Sequence, residues 1–494
     1  MPLDTRTLDW THDEEALGFS APPRATPPRR TGLHRLAAAL LGLGAFALVL
    51  TCAGVELGGG WSALLATFGL LGLGALLWFH VEFRDTPAGI RNDDTFFRGI
   101  QNRGLLGWAL GLALTGFYVV LYFYDDWRAA GLPAVLERPT RLLDPLARTL
   151  NGEAASRWFL YGFLYTAAVG LFGVRTAWKY RHSRYQLVRT ASVVLFQLVL
   201  AFLLPNLLRL FQQPEFYFSY FWPLKREYLF PDTLGGLWSG GGFAQFAVFW
   251  SVALALVGVP ILTYFLGKRW YCSWVCGCGG LAETLGDPFR QQSVKTRAAW
   301  RVERWLIHAV LVLIVVTTAL LWINSASSGR LLGGASQAFA RFYGFWVGAI
   351  FSGVIGVGFY PLMGSRVWCR FGCPQAAILG LLQRLWSRFR ITTNGGQCMS
   401  CGNCSTYCEM GIDVRAYAQR GANVVRAACV GCGVCAAVCP RGVLRLENGA
   451  PGERFEGADD PWGTFLDSLR RMEGSSYAAW EGSGRTGTGT APRQ

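Results

Sequence analysis

Between positions 36 and 362 the sequence returns eight times to an apolar run long enough to cross a bilayer. A hydrocarbon core of about 30 Å needs roughly 20 helical residues. Runs of that length dictate helices, because backbone groups surrounded by lipid must be paired within their own segment. The expected spans are 36–55, 61–80, 104–124, 158–178, 187–210, 243–265, 305–322 and 342–362, the first two joined as a helical hairpin by ELGGG. The fold class that follows is an α-helical polytopic membrane protein.

Composition agrees, with 52% hydrophobic and only 16% charged residues. The net charge of +15 would suit nucleic acid if it were gathered in one patch. Here the basic residues fall in short clusters between apolar runs, which reads as topology and excludes nucleic acid as a partner. Arg24, Arg29, Arg30 and Arg35 precede the first span; Arg84, Arg91, Arg98 and Arg103 follow the second. Lys179, Arg181, Arg184 and Arg189 follow the fourth, and Lys268, Arg269, Arg290, Lys295, Arg297, Arg301 and Arg304 follow the sixth. By the positive-inside rule these flanks and both termini are cytoplasmic, in a bacterial inner membrane. The loop 125–157 carries arginines on the expected outer side, but it is long and mixed with acids, where the rule weakens. Few ionisable residues fall within the spans, which disfavours a solute transporter.

Beyond the last span the chemistry is in the cysteines. Of 14, 13 lie in closely spaced sets after position 270, and only Cys52 stands alone, expected as a small buried residue. Two successive C-x-x-C-x-x-C-x-x-x-C runs hold Cys398, Cys401, Cys404 and Cys408, then Cys429, Cys432, Cys435 and Cys439. This is the ligand pattern of a two-cluster bacterial ferredoxin. Three thiolates two residues apart wrap three corners of a cubane, while the fourth is held too far away and ligates the other cluster. The expected sets are Cys398, Cys401, Cys404 and Cys439 for the first 4Fe–4S cluster, and Cys429, Cys432, Cys435 and Cys408 for the second. Zinc ribbons also use C-x-x-C pairs but have no use for the trailing cysteine.

A second constellation repeats. GKRWYCSWVCGCGG follows the sixth span and GSRVWCRFGCPQAA the eighth, aligning Gly267, Arg269, Cys272 and Cys276 with Gly364, Arg366, Cys369 and Cys373. A spacing of four puts both sulfurs of a pair on one helix face, and the two pairs are expected at the cytoplasmic membrane surface. They are candidates for a third metal centre, for redox-active dithiols or for structural thiols. In the first copy Gly277 replaces Pro374, and Cys278 is available as an alternative ligand. The helix after the second copy, with Ile378, Leu382, Leu385 and Phe389 on one side, is expected to lie in the interface.

The chain therefore divides into a disordered cytoplasmic leader (1–35) without a cleaved-signal pattern, a membrane region of about five spans (36–240), a membrane region carrying the repeat and the interfacial helix (241–391), an α+β dicluster ferredoxin module (392–450) and a mostly disordered tail (451–494). The aromatic stretch EFYFSYFWPLKREYLFPDTLGGLW between the fifth and sixth spans reads as an interfacial belt or re-entrant segment, with a quinone pocket as the sharper reading. Haem has little support, since His80 and His308 read as ordinary polar groups at the headgroups.

Paired C-x-x-x-C elements after membrane spans, followed by a dicluster ferredoxin, resemble the membrane polyferredoxin group that includes NapH, CcoG and the membrane portion of NosR. The resemblance covers residues 243–447 and implies electron transfer serving a respiratory or maturation system: quinol oxidation, reductase activation or copper reduction. Departures are the missing threonine-bearing covalent flavin motif, the missing large outer domain, and Glu409 where the second run has Pro440. The expected function is a relay of single electrons through two 4Fe–4S clusters at the cytoplasmic face, between a quinone pool or donor and a partner protein. As part of a quinol-linked oxidoreductase the chain would serve an enzyme. The alternative is an assembly or redox-sensing factor that handles copper through Cys272, Cys276, Cys369 and Cys373.

Overall fold

Eight helices long and apolar enough to cross a membrane are present among the described residues of the computed structural model, which are 32–55, 60–84, 88–89, 104–394 and 397–448. They are Gly32–Ala53, Trp61–Arg84, Leu105–Tyr122, Arg157–Lys179, Arg184–Leu210, Gly242–Leu266, Arg297–Ala326 and Ala335–Gly358. Each coincides with an expected span and differs mainly at its ends, where polar residues continue the helix past the apolar run. The leader up to residue 31 and the tail from 449, both expected to be disordered, lie outside the described residues.

The first two spans pack as the expected hairpin. Gly44 and Gly74 let the backbones approach: a side chain at Gly44 would lie 2.8 Å from Leu71 Cγ, and one at Gly74 2.9 Å from Leu41 Cγ. Cys52, expected to be buried, is exposed at the surface of this hairpin. Its carbonyl accepts a hydrogen bond from the Arg138 guanidinium at 3.0 Å.

The last part of the chain sits on one end of this bundle, hereafter the module end. Strand β1 (Arg390–Thr393) pairs antiparallel with β2 (Leu444–Glu447), Ile391 opposite Leu446, and so closes the segment that carries the eight ferredoxin-pattern cysteines. Its loop 426–432 is stitched down carbonyl by carbonyl. Gln383 donates to Arg426 and Cys429 at 2.9 and 2.8 Å, Lys268 to Ala427 at 3.1 Å and Ser273 to Val430 at 2.8 Å. Tyr185 donates to Gly431 and Gln186 to Cys432, each at 2.8 Å. Of these anchors Lys268 was read in the sequence as a topological charge, and the others were not singled out.

At the other end the aromatic stretch turns inward. Phe216 and Phe221 are buried. Ser219 offers its carbonyl to the Tyr271 hydroxyl at 2.9 Å, and Phe221 packs on Tyr271 with ring centroids 4.8 Å apart. Of the two ordinary readings of this stretch, the re-entrant one describes its path.

Candidate metal centres

The two C-x-x-x-C elements do not stop at the membrane surface as expected. Gln186 of the fifth span meets the module, whereas Ser192 donates to the Trp274 carbonyl at 3.0 Å and Gln197 faces Gly277. At 1.5 Å per residue, Gln197 lies roughly 16 Å below Gln186 along the helix, about half of a 30 Å core. After this descent the helix Gly277–Glu283 returns, with Gly280 against Val193. The second element does the same: Gly372 rests on Phe351, Cys373 packs in a core with Ile307, Val310 and Ile314, and the helix Pro374–Trp386 runs back until Gln383 meets the module.

Nor do the paired cysteines share one helix face. The helix Arg269–Cys272 ends at its cysteine, and Trp368–Gly372 is a single wide turn. Cys276 and Cys373 both adopt extended backbone (φ −65°, ψ 126° and φ −79°, ψ 113°) and cap the helices that follow. Cys373 accepts from the Ala376 N–H at 3.4 Å. Proline suits the first helical position after such a cap, which accounts for Pro374. Gly277 departs from it because a side chain there would collide with the Tyr220 hydroxyl and stand 2.7 Å from Gln197 Oε1. The helix after the second copy also differs from expectation. It buries Ala376, Ala377 and Leu379, and sets Gly380 and Gln383 against the module, while Leu385 and Trp386 are exposed.

Cys272, Cys276, Cys369 and Cys373 are all buried, and their sulfurs are near enough to influence one another. Burial pushes the Cys272 thiol up to about 12, with Lys268 opposing and Cys276 and Cys369 adding. Burial likewise raises Cys373, with contributions from Cys369, Cys272 and Cys276. Cys278 is half-buried beside Cys276 and raises its pKa through a side-chain hydrogen bond. A metal bound by such thiols displaces their protons.

In the module, a cleft is lined by Cys398, Cys401, Cys404 and Cys439, the set expected for one cluster, together with Met399, Arg415 and Pro440. Burial pushes Cys404 up to about 11, helped by Cys439 and Cys401. The other expected set also converges: Cys435 is raised by burial and then by Cys432, Cys429 and Cys408. Among the described residues no three of His, Cys, Asp or Glu converge as closely as a single ion requires. Four ligands at 2.3 Å from one zinc would stand about 3.8 Å apart, and the larger cubane spreads its thiolates further. Four soft thiolates in each set suit an iron–sulfur cluster. His80 packs on Trp178, and His308 sits on the span beside the helix Pro374–Trp386.

The sequence did not disclose the charged layer between these cysteine sets. Glu283, Asp287 and Glu409 are buried together with Arg189, Arg290 and Arg366. Arg290 Nη1 donates to Glu409 Oε2 at 2.7 Å, and Arg366 Nε lies 3.0 Å from Glu409 Oε1. Arg366 and Arg189 also pair with Glu283. Asp287 accepts from Arg290, Lys179 and Tyr180 at 2.8, 2.6 and 3.0 Å, and Arg175 lies 3.2 Å away. The one available signal was the break in the internal symmetry that puts Glu409 where the second run has Pro440.

Comparison with known proteins falls on these same segments. A family described as "4Fe-4S dicluster domain" matches residues 397–444, and one described as "4Fe-4S binding domain" matches twice, at 248–296 and 344–394. Ferredoxin-type protein NapH of Escherichia coli is 30% identical over 165 residues, 31% of this chain and 53% of NapH. Methylamine utilization ferredoxin-type protein MauN of Paracoccus denitrificans is 31% identical over 170 residues, 32% of this chain and 56% of MauN. YccM of Escherichia coli is 28% identical over 178 residues, 33% of this chain and 48% of YccM. The chain thus spans about half the length of the curated relatives it matches. No solved structure matches. The expected resemblance to NapH holds as homology over about a third of the chain, and the family matches fall on the cysteine-bearing segments. The chain is a multi-pass helical membrane protein with a C-terminal ferredoxin module.

Proposed function

We propose that this protein relays single electrons between a donor or quinone pool in the membrane and a respiratory or maturation partner. Cys398, Cys401, Cys404 and Cys439 hold one 4Fe–4S cluster, and Cys429, Cys432, Cys435 and Cys408 a second. Cys272, Cys276, Cys369 and Cys373 hold a third centre within the bundle, with Cys278 as reserve ligand. When bound, such clusters supply one-electron chemistry. The chain supplies burial, fixed spacing and charge.

One observation carries the reading. Cys272, Cys276, Cys404, Cys429 and Cys435 belong to a single buried core, with Cys278, Cys398, Cys408, Cys432 and Cys439 packed against it. Ser273, next to Cys272, hydrogen-bonds Val430, next to Cys429. Thiols meant only to carry copper in transit would need an open approach, and these are buried. The positive flanks support a bacterial inner membrane with the module end and both termini on its cytoplasmic side. The centre at the repeat then extends the path from that face to mid-depth, where the re-entrant aromatic stretch arrives from the other side.

The test is the double variant Cys272→Ser with Cys369→Ser, reconstituted in liposomes. The relay predicts that the module keeps its clusters while their reduction by quinol is lost. Unchanged quinol-linked reduction together with lost copper handling would give the assembly-factor reading the field.

A further inference from the structure

The two cluster-binding runs of the module are pseudo-equivalent, yet the residue after the fourth cysteine differs. Pro440 lines the cleft of the first set. Glu409, in the second run, is 1% exposed and enters the membrane part between Arg290 and Arg366. Both guanidiniums go on to cysteine sulfurs. Arg366 Nη1 stands 3.6 Å from Cys369 Sγ and donates to the Cys272 carbonyl at 3.1 Å. Arg290 Nη1 stands 4.0 Å from Cys432 Sγ. One carboxylate thus joins the ligand loop of the module's second set to the ligand loops of the intramembrane set. The path is Cys432, Arg290, Glu409, Arg366, Cys369.

The charges of this layer do not cancel. Three buried cations (Arg189, Arg290, Arg366) match three buried carboxylates (Glu283, Asp287, Glu409), and the partly exposed Arg175 and Lys179 at the edge add two positive charges. A cluster held by four thiolates carries net negative charge, and one stands on each side of the surplus. The layer has the sign and place of a counter-charge for both.

We propose that Glu409, Arg290 and Arg366 form a charge bridge that holds the module's second cluster at fixed distance from the centre at Cys272, Cys276, Cys369 and Cys373 and sets the reduction potentials of the two. These are positioning residues, and the inference rests on the cluster reading above. Net charge and hydrogen bonds to sulfur are main determinants of cluster potential. Adding an electron adds negative charge, so a neighbouring cation favours reduction and a neighbouring carboxylate opposes it. Removing the Glu409 charge therefore raises the potential of the second module cluster. Removing the Arg366 charge lowers that of the intramembrane centre.

The experiment is an anaerobic redox titration of the full chain in nanodiscs, followed by paramagnetic resonance, for wild type, Glu409→Gln, Glu409→Asp, Arg366→Gln and Arg366→Lys. Glu409→Gln should ease reduction of the second module cluster by about tenfold, 59 mV for a one-electron couple. Arg366→Gln should shift the intramembrane centre by a similar factor in the opposite direction. The charge-conserving Asp and Lys variants should return toward wild type. Shifts of the same sign in both Gln variants, or none beyond twofold, overturn the proposal. Hydrogen exchange of residues 405–412 in apoprotein gives a readout without iron: Glu409→Gln should speed it at least tenfold, and unchanged exchange overturns the positioning role. Iron content separates the two levels. A wild type with only the module's clusters defeats the third centre, while the Glu409 arm still decides the bridge.

Discussion

Replacing Glu283 by glutamine removes one charge from the buried layer while keeping the shape of the side chain. Glu283 is 1% exposed; one carboxylate oxygen pairs with Arg366, the other with Arg189, and Arg290 Nη2 stands 3.9 Å from it. Without that charge three buried arginines, Arg189, Arg290 and Arg366, face two buried carboxylates. Breaking a buried pair by removing one partner costs about 3–5 kcal/mol. That corresponds to roughly two to four decades in the equilibrium between the closed layer and a locally opened one. Amide hydrogen exchange of residues 277–290 in nanodiscs reads this opening directly. Asp125→Asn is the control: it cuts the Arg157 pair, whose aspartate side chain is 83% exposed, and should change nothing measurable. Exchange in Glu283→Gln within threefold of wild type would refute the claim that these ion pairs hold the dipping elements in place.

Two glycines give graded steric tests. Gly277→Ala sets a methyl group against the Tyr220 hydroxyl and should cost about 1–3 kcal/mol in thermal unfolding, with partial recovery in combination with Tyr220→Phe. Gly279→Ala drives its methyl group into the Cys272 carbonyl, which is backbone and cannot yield, so it should assemble poorly in iron analysis whatever the second substitution. Gln383→Ala removes hydrogen bonds to Lys268, Arg426 and Cys429. Limited proteolysis should then cut near residues 420–428 faster than in wild type. A pH test falls on Asp287, where burial raises the carboxyl pKa but Lys179, Arg290 and Arg175 outweigh it and hold the group well below its ordinary range. With an unfolded value of about 3.9, its stabilisation is complete above that pH and is lost only as pH falls through the depressed folded value. The drop in thermal midpoint caused by Asp287→Asn should therefore be constant between about pH 5 and 8.

The spans were legible because their signal is local: length and hydropathy suffice to place a helix, and polar ends alone shifted the boundaries. The ferredoxin module was legible for the same reason, since its two cysteine runs are local signals and the dicluster family match falls on residues 397–444. The depth of the C-x-x-x-C elements was not. Lys268, Arg269, Arg290 and Arg366 surround those cysteines in sequence, and counted singly they put the elements at the water interface. All four are 5% exposed or less, because their partners come from other segments: Gln383 and Ala427 beside Lys268, Phe389 under Arg269, Glu409 for Arg290 and Arg366. Such pairing depends on which elements meet, which spacing does not encode. The two departures from internal symmetry, Gly277 and Glu409, were visible as departures, and each marks a place where another segment packs in.

The relay through clusters at three cysteine sets is tested most directly by iron and acid-labile sulfide counts on anaerobically purified protein, paired with a reductive titration followed by paramagnetic resonance. The account predicts more than about eight irons per chain, with 4Fe–4S signals from the module and a further centre that disappears in Cys272→Ser with Cys369→Ser. About eight irons, unchanged in that variant, would remove the intramembrane centre. A chain without any 4Fe–4S signal would contradict the account as a whole.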